Sequence, residues 1–167
     1  MGMWEFANKL NGNLPYKQLV SVGPLPADYG LISRRQQLQQ IDESLNPLPD
    51  TQTSLYQTIL TAYQQMTAGY EPNFTNGLIV LTAGVDNVPG DMPVATLVSK
   101  LKKLSNPSRP VELIIVQIGD KGSFTAMKQV ATAGDGVAYQ VTDLSQVGQV
   151  FFNAIGRRIC ENGGCAG

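Results

Sequence analysis

The chain has 167 residues, of which 43% are hydrophobic and only 15% charged, and its 12 basic residues nearly balance its 13 acidic ones. That length and apolar share suit one folded domain with a single core and exclude wholesale disorder. The sequence has no basic face that could bind nucleic acid. It also contains no apolar run of about 18 residues, so no membrane span is predicted.

The first two predicted elements are strands, Met3–Ala7 and Gln18–Gly23. Between them lies the segment Asn8–Pro15, which is rich in turn-forming residues and is predicted to be a loop. Two short strands on either side of such a loop are typical of a hairpin.

Two helices are predicted next. Apolar residues three and four apart predict a helix over Arg34–Leu45, and the proline-rich segment after it ends that helix. The second helix follows Thr53, a residue type that caps helix N-termini. Its buried stripe is formed by Leu55, Ile59, Ala62 and Met66.

Strands and helices alternate through the rest of the chain. Gly77–Thr82 is a continuous apolar run, which predicts a strand covered on both faces. The later predicted elements are helix Val94–Leu104, strand Val111–Ile118, helix Ser123–Ala133, strand Gly136–Val141 and helix Leu144–Ile159. This alternation predicts an α/β fold: a Rossmann-like, doubly wound, mostly parallel sheet with helices on both faces and one antiparallel edge strand.

We expect one domain over residues 1–159 and a glycine-rich tail over 160–167. The tail holds both cysteines, Cys160 and Cys165. Two interpretations stay open: a disulfide in a tight loop, which an oxidising compartment would favour, or two unpaired thiols.

The residues available for catalysis are few. The chain has no histidine, which excludes Ser-His-Asp and Cys-His arrangements, and no pattern pairs two carboxylates across a cleft. Nucleophile-elbow and phosphate-loop motifs are missing as well. We therefore predict that the chain is not an enzyme.

Polar residues follow two of the predicted parallel strands. Asp86, Asn87 and Asp91 come after the first of these strands, and Asp120 comes after the second. Because open α/β sheets bind ligands beyond the carboxyl ends of their strands, these loops are the predicted recognition surface. Ala83 and Gly84 begin the first loop. The alternative is an ordinary solvated loop.

Several of these motifs together resemble the von Willebrand factor type A (vWA) family, especially its bacterial, actinobacterial-like members. The resemblance covers nearly the whole chain, and its opening Gly2-Met-Trp-Glu-Phe6 is similar to the family's second strand. The matching motifs are Thr53-Ser-Leu-Tyr56, Leu78-Ile-Val-Leu-Thr-Ala-Gly84, the apolar strand ending at Gly119, and Ala131-Thr-Ala-Gly-Asp-Gly136.

The resemblance implies a metal-ion-dependent adhesion site. This chain lacks two parts of the family's sequence motif for that site. The family's Asp-x-Ser-x-Ser motif, at the end of a central first strand, is absent, so we expect unpaired strand edges. Ala83 stands where the family has an aspartate, and alanine has no side-chain oxygen for a cation. The expected site is therefore degenerate, with no cofactor. Mg²⁺ or Mn²⁺ held by Thr53 and Asp86 is the alternative, and for Thr53 a helix cap is the other interpretation.

The resemblance also implies a function in binding. We expect a protein-binding, adhesion-type domain that is extracellular or at the cell surface, as part of a longer exported protein. The alternative is a metal-free structural module that self-associates into a homo-oligomer.

Overall fold

A computed structural model describes residues 1–24, 28–29, 32–44, 52–83, 86–150 and 153. The chain divides into two compact units. The first unit comprises the described residues of 1–58 together with 86–91, and the second comprises the other described residues.

An antiparallel hairpin opens the first unit. It pairs β1 (Met3–Asn11) with β2 (Leu14–Val20), so the prediction of a hairpin is confirmed. The prediction of a loop over Asn8–Pro15 is wrong, because both strands continue into that segment. Only two residues form the turn, and Gly12 adopts a positive φ of 64° there, as tight hairpin turns require.

The first unit continues with a short antiparallel pair and a helix. The pair consists of β3 (Asp28–Tyr29) and β4 (Ile32–Ser33), and α1 (Arg34–Ser44) follows directly. Arg34 is buried and donates a hydrogen bond to the Ser21 carbonyl. The predicted last residue of this helix, Leu45, lies outside the described residues.

Helix α2 (Leu55–Ala68) begins one residue later than its predicted cap implies. The residue before it is Ser54, whose carbonyl accepts hydrogen bonds from the backbone N–H and the hydroxyl of Thr58, the latter at 2.7 Å. Thr53 therefore lies outside the capping position. The predicted buried stripe is confirmed at Leu55, Ile59 and Ala62, whereas Met66 is only half-buried.

The second unit contains a parallel sheet of three strands in the order β5-β6-β7. Its strands are β5 (Gly77–Thr82), β6 (Glu112–Ile118) and β7 (Val137–Val141), and the helices that connect them are α3 (Val94–Leu104) and α4 (Phe124–Ala133). Residues 59–68 of α2 also belong to this unit. Strand–helix–strand connections confirm the predicted Rossmann-like α/β fold. The antiparallel strands β1 and β2 form a hydrogen-bonded sheet of their own.

The central strand β6 carries the core of the second unit, and its residues 112–117 are all buried. On one face, Ile114 and Val116 pack with Val141 and with Val147 from a helical segment. That segment is described over residues 147–150 and at 153, after a 3₁₀ turn, Leu144–Gln146. The remainder of the predicted last helix, and with it Cys160 and Cys165, lies outside the described residues.

Strand β5 is less covered than its sequence predicts. Val80 and Thr82 are buried, but the side chain of Leu81 is 47% exposed. The prediction of a strand covered on both faces is therefore wrong at Leu81. Among the described residues, β5 pairs with β6 alone, which makes it an edge strand of this sheet.

Candidate functional site

The loop of residues 86–91 is attached to the start of α2 within the first unit. Asn87 makes two hydrogen bonds with the backbone of Thr53. Its side-chain Oδ1 accepts from the Thr53 N–H at 2.5 Å, and its own N–H donates to the Thr53 carbonyl at 3.1 Å. This two-way pairing holds the loop against the residues that precede the helix.

Asp86 supplies the helix cap that the sequence assigned to Thr53. Its Oδ1 accepts a hydrogen bond from the backbone N–H of Tyr56 at 3.3 Å, and the N–H of Leu55 also donates to its carboxylate. The first N–H groups of a helix have no partner within the helix and favour a negative charge nearby. A carboxylate about thirty residues away in sequence therefore stabilises the start of α2.

A second carboxylate lies beside Asp86. Asp91 accepts a hydrogen bond from the hydroxyl of Ser54, a residue that is only 5% exposed. The Asp91 side chain also hydrogen-bonds to that of Asp86, and its N–H donates to the Val88 carbonyl at 3.1 Å. We call Ser54, Asp86 and Asp91 the carboxylate cluster.

Burial alters the acidity of this cluster. Burial raises the pKa of Asp86, the N–H groups of Tyr56 and Leu55 lower it, and the charge and hydrogen bond of Asp91 raise it; together they bring the pKa from 3.8 to about 6. Burial and the Asp86 charge also raise the pKa of Tyr56. Asp86 therefore changes its protonation state near pH 6.

The other predicted loop belongs to the second unit. Gly119 and Asp120 line a cavity of about 500 Å³ together with Gln140, Val141 and Thr142. The Gly119 N–H donates to the Val141 carbonyl at 2.7 Å, and the Gln140 side chain donates to the Gly119 carbonyl at 2.9 Å. These bonds join the carboxyl ends of β6 and β7. Asp120 itself is exposed.

The predicted site residues thus fall into separate groups. Three of them, Asp86, Asn87 and Asp91, lie together with Thr53 in the first unit, whereas Asp120 lines the cavity of the second unit. Ala83 is exposed just after β5. Gly84 lies outside the described residues.

Sequence reasoning missed Ser54, Gln140 and Thr142. Ser54 had a usable signal, since serine directly before a helix is a preferred capping residue. No sequence pattern distinguished Gln140 or Thr142 from other polar residues near a strand end.

The carboxylate cluster offers two carboxylates and one hydroxyl as oxygen donors. In the part of the chain that the structure describes, no group of three or more His, Cys, Asp or Glu residues is placed to hold a metal. The two carboxylates bond to each other, to a hydroxyl and to helix N–H groups, and Ala83 offers no side-chain oxygen. Mg²⁺ demands near-octahedral oxygen ligands. Binding of Mg²⁺ or Mn²⁺ by Thr53 and Asp86 stays a prediction.

The fold and these loops define a class of protein: a Rossmann-like α/β domain with polar loops beyond the carboxyl ends of its parallel strands. The family model of the von Willebrand factor type A domain matches residues 25–153, and the chain belongs to this family. Domains of this family generally mediate protein interactions. The comparison with curated proteins found no match. No helix in the described ranges has the length and apolar character to cross a membrane.

Proposed function

We propose that this chain is a non-catalytic, adhesion-type vWA domain that binds a protein partner through the loop of residues 86–91 without a bridging cation. The observation that carries the proposal is the attachment of this loop to α2 by Asp86, Asn87 and Asp91. A loop whose shape is set before binding loses less conformational entropy when the partner arrives.

The chemistry of the loop supports cation-independent binding. A bridging cation needs free oxygen ligands, yet the Asp86 carboxylate caps α2 and shares a hydrogen bond with Asp91. With alanine at position 83, the adhesion site is degenerate, and we propose no cofactor.

Composition supports the remaining parts of the proposal. A chain without histidine lacks the commonest general base, in agreement with a non-catalytic role. The low charged share, and two cysteines that an oxidising compartment would pair, favour an extracellular or cell-surface location within a longer exported protein.

Selection from a displayed random-peptide library tests the loop. Clones are selected on the wild-type chain in the presence of EDTA and then measured on Pro89→Arg, which places a large charged group on an exposed loop residue. We expect at least about a tenfold loss of affinity, because the arginine side chain covers the exposed surface of the loop, while the hydrogen bond from the Asp91 N–H to the Val88 carbonyl still closes the turn that contains Pro89.

Thr132→Arg is the matched control, since it adds the same side chain at an exposed position of α4. Clones should bind this variant like the wild type. Selected clones that bind Pro89→Arg as tightly as the wild type would overturn the assignment of the partner to this loop.

Calorimetric titration of the chelator-treated chain with Mg²⁺ and Mn²⁺ tests the absence of a cation. We expect no saturable heat. Binding near one ion per chain, lost in Asp86→Asn, would overturn the cation-independent mechanism and support the alternative site at Thr53 and Asp86.

A second candidate function is a metal-free assembly module that self-associates. The observation in its favour is the edge position of β5, with Leu81 47% exposed. Light scattering over a wide concentration range tests it. A strictly monomeric chain would rule it out.

A further inference from the structure

The sequence contains three asparagine–glycine pairs, and the structure describes two of them. These are Asn11-Gly12 and Asn76-Gly77, while Asn162-Gly163 lies outside the described residues. An asparagine before glycine is chemically labile, because glycine has no side chain to hinder its nitrogen from attacking the carbon of the asparagine amide. The surroundings of the two described pairs therefore decide which of them can react.

Asn76 is held in place by both its side chain and its backbone. It is only 4% exposed, its Nδ2 donates to the carbonyls of Glu71 and Phe74 at 2.8 Å, and its Oδ1 accepts from the Glu71 N–H at 3.0 Å. Its carbonyl accepts from the Glu112 N–H at 3.1 Å, which fixes the peptide group that joins Asn76 to Gly77. These bonds must open before the Gly77 nitrogen can reach the amide carbon.

Asn11 lies at the turn between β1 and β2, in different surroundings. It pairs with Leu14 across the turn, and residues 11–13 are all exposed. Within the described part of the chain, no hydrogen bond is made by the Asn11 side chain. A Cβ atom at Gly12 would meet nothing within 4 Å, so no neighbouring group covers this turn. The Asn11 amide can therefore rotate toward the Gly12 nitrogen without losing a contact.

We propose that Asn11 is a site of spontaneous deamidation and isomerisation. The Gly12 nitrogen gives up its proton to hydroxide and attacks the Cγ atom of Asn11; a C–N bond forms, and the side-chain nitrogen leaves as ammonia. Water then opens the resulting succinimide at either of its two carbonyls, which yields aspartate or isoaspartate. Water is the only co-reactant.

Isoaspartate at position 11 is incompatible with the hairpin turn. It routes the main chain through the side-chain carbon and so lengthens the backbone directly before a two-residue turn, whose length sets the register of both strands. The same hairpin is anchored by Asn8, whose N–H donates to the Gln52 carbonyl at 2.7 Å and whose Nδ2 donates to Gln52 Oε1 at 3.1 Å. We expect these two bonds to weaken when isoaspartate forms.

Peptide mapping by mass spectrometry, on the folded chain held at mildly alkaline pH, measures conversion at each asparagine separately. We expect Asn11 to convert at least about tenfold faster than Asn76, because buried hydrogen bonds must open before Asn76 reacts. Isoaspartate should appear beside aspartate at position 11, since direct hydrolysis of the amide gives aspartate alone. Equal rates at the two residues, or aspartate as the only product, would overturn the proposal.

The same measurement in urea separates the effect of the fold from that of the local sequence. Unfolding exposes both pairs, so Asn76 should then convert about as fast as Asn11. A difference between them that persists unchanged in urea would show that the folded structure does not select Asn11.

Hydrogen exchange at the Asn8 amide tests the consequence for the hairpin. The control is Asn11→Gln, aged in the same way, because glutamine would have to form a larger ring and reacts slowly. We expect the Asn8 amide to lose protection in the aged wild-type chain but not in the aged variant. Equal protection of this amide in both chains would overturn the effect of isoaspartate on the hairpin.

Discussion

Asp86 illustrates how one side chain in this chain is subject to opposing influences. The N–H groups at the start of α2 favour its ionised form, while burial and the neighbouring Asp91 favour the protonated form. Burial and the neighbouring Asp91 have the larger effect, because the pKa of Asp86 rises from 3.8 to about 6. The charge of the carboxylate that caps the start of α2 therefore depends on pH.

We expect this dependence on pH to appear in the free energy of unfolding. The folded chain holds a proton on Asp86 that the unfolded chain has already released between about pH 4 and about pH 6, so the free energy of unfolding should fall as the pH rises through that window and then level off. The contribution is on the order of 1 kcal/mol, discounted for the solvent exposure of the group.

Urea unfolding across this pH range, with wild type and Asp86→Asn compared, measures the effect. The asparagine keeps an oxygen that can accept the helix N–H but does not titrate, so its curve should lack this component. Asp120→Asn, an exposed carboxylate in the other unit, is the control and should follow the wild type. Equal pH slopes for wild type and Asp86→Asn would contradict the assignment.

Gly136 has no space for a side chain. A Cβ atom there would lie 1.9 Å from the carbonyl oxygen of Leu113, which belongs to the backbone of β6. Gly136→Ala should lower the free energy of unfolding by about 3 kcal/mol, because a strand backbone must move. Thermal or urea unfolding measures this.

Gly148→Ala provides the comparison for Gly136→Ala. A Cβ at Gly148 meets nothing within 4 Å, and residues 147–150 are helical. We expect no destabilisation, and a gain of up to about 1 kcal/mol from helix propensity. Similar losses for both variants would show that the contact with Leu113 is not the cause.

At the scale of elements, α2 is joined by a buried hydrogen bond to Val111, the residue directly before β6. The hydroxyl of Tyr63, a fully buried residue, donates to the Val111 carbonyl at 3.0 Å. Tyr63→Phe should cost about 1–2 kcal/mol of unfolding free energy, because the carbonyl loses its partner in a dry environment. Tyr70→Phe, which keeps its ring beneath the Arg109 guanidinium, should change it by less than about 0.5 kcal/mol. Equal effects would argue against the bond.

The sequence predicted those elements whose apolar residues have a clear period. Strand β5 and helix α3 have the predicted bounds, because an apolar run or a three-and-four spacing marks each one along its whole length. It failed over Asn8–Pro15, where polar residues occupy a half-exposed hairpin and two residues suffice for the turn. Composition distinguishes such strands poorly from loops.

The candidate site was predictable only in part, for a related reason. Asp86, Asn87 and Asp91 could be grouped because they follow a buried strand in sequence. Their bonds to Thr53 and Ser54 span more than thirty residues, and no local pattern encodes such a separation. The capping role of Asp86 arises from that tertiary contact.

At the scale of the whole molecule, the nearly balanced charge bears on how self-association should depend on salt. Because β5 is uncharged, self-association through its edge, the second candidate function, should have a dissociation constant that changes less than about threefold between low and high NaCl, since salt screens only charged contacts. Analytical ultracentrifugation measures it. A dimer that dissociates steeply with added salt would indicate an interface formed by charged residues.

The chain passes between its two compact units three times, at residues 58–59, 85–86 and 91–92. Neither unit can therefore be cut out as one uninterrupted segment. A fragment ending at residue 58 would lose the acid that caps α2, and a fragment starting at residue 59 would carry the loop of residues 86–91 without Thr53. The loop of residues 86–91 and the amino-terminal segment must consequently be inherited, or transplanted into another scaffold, together.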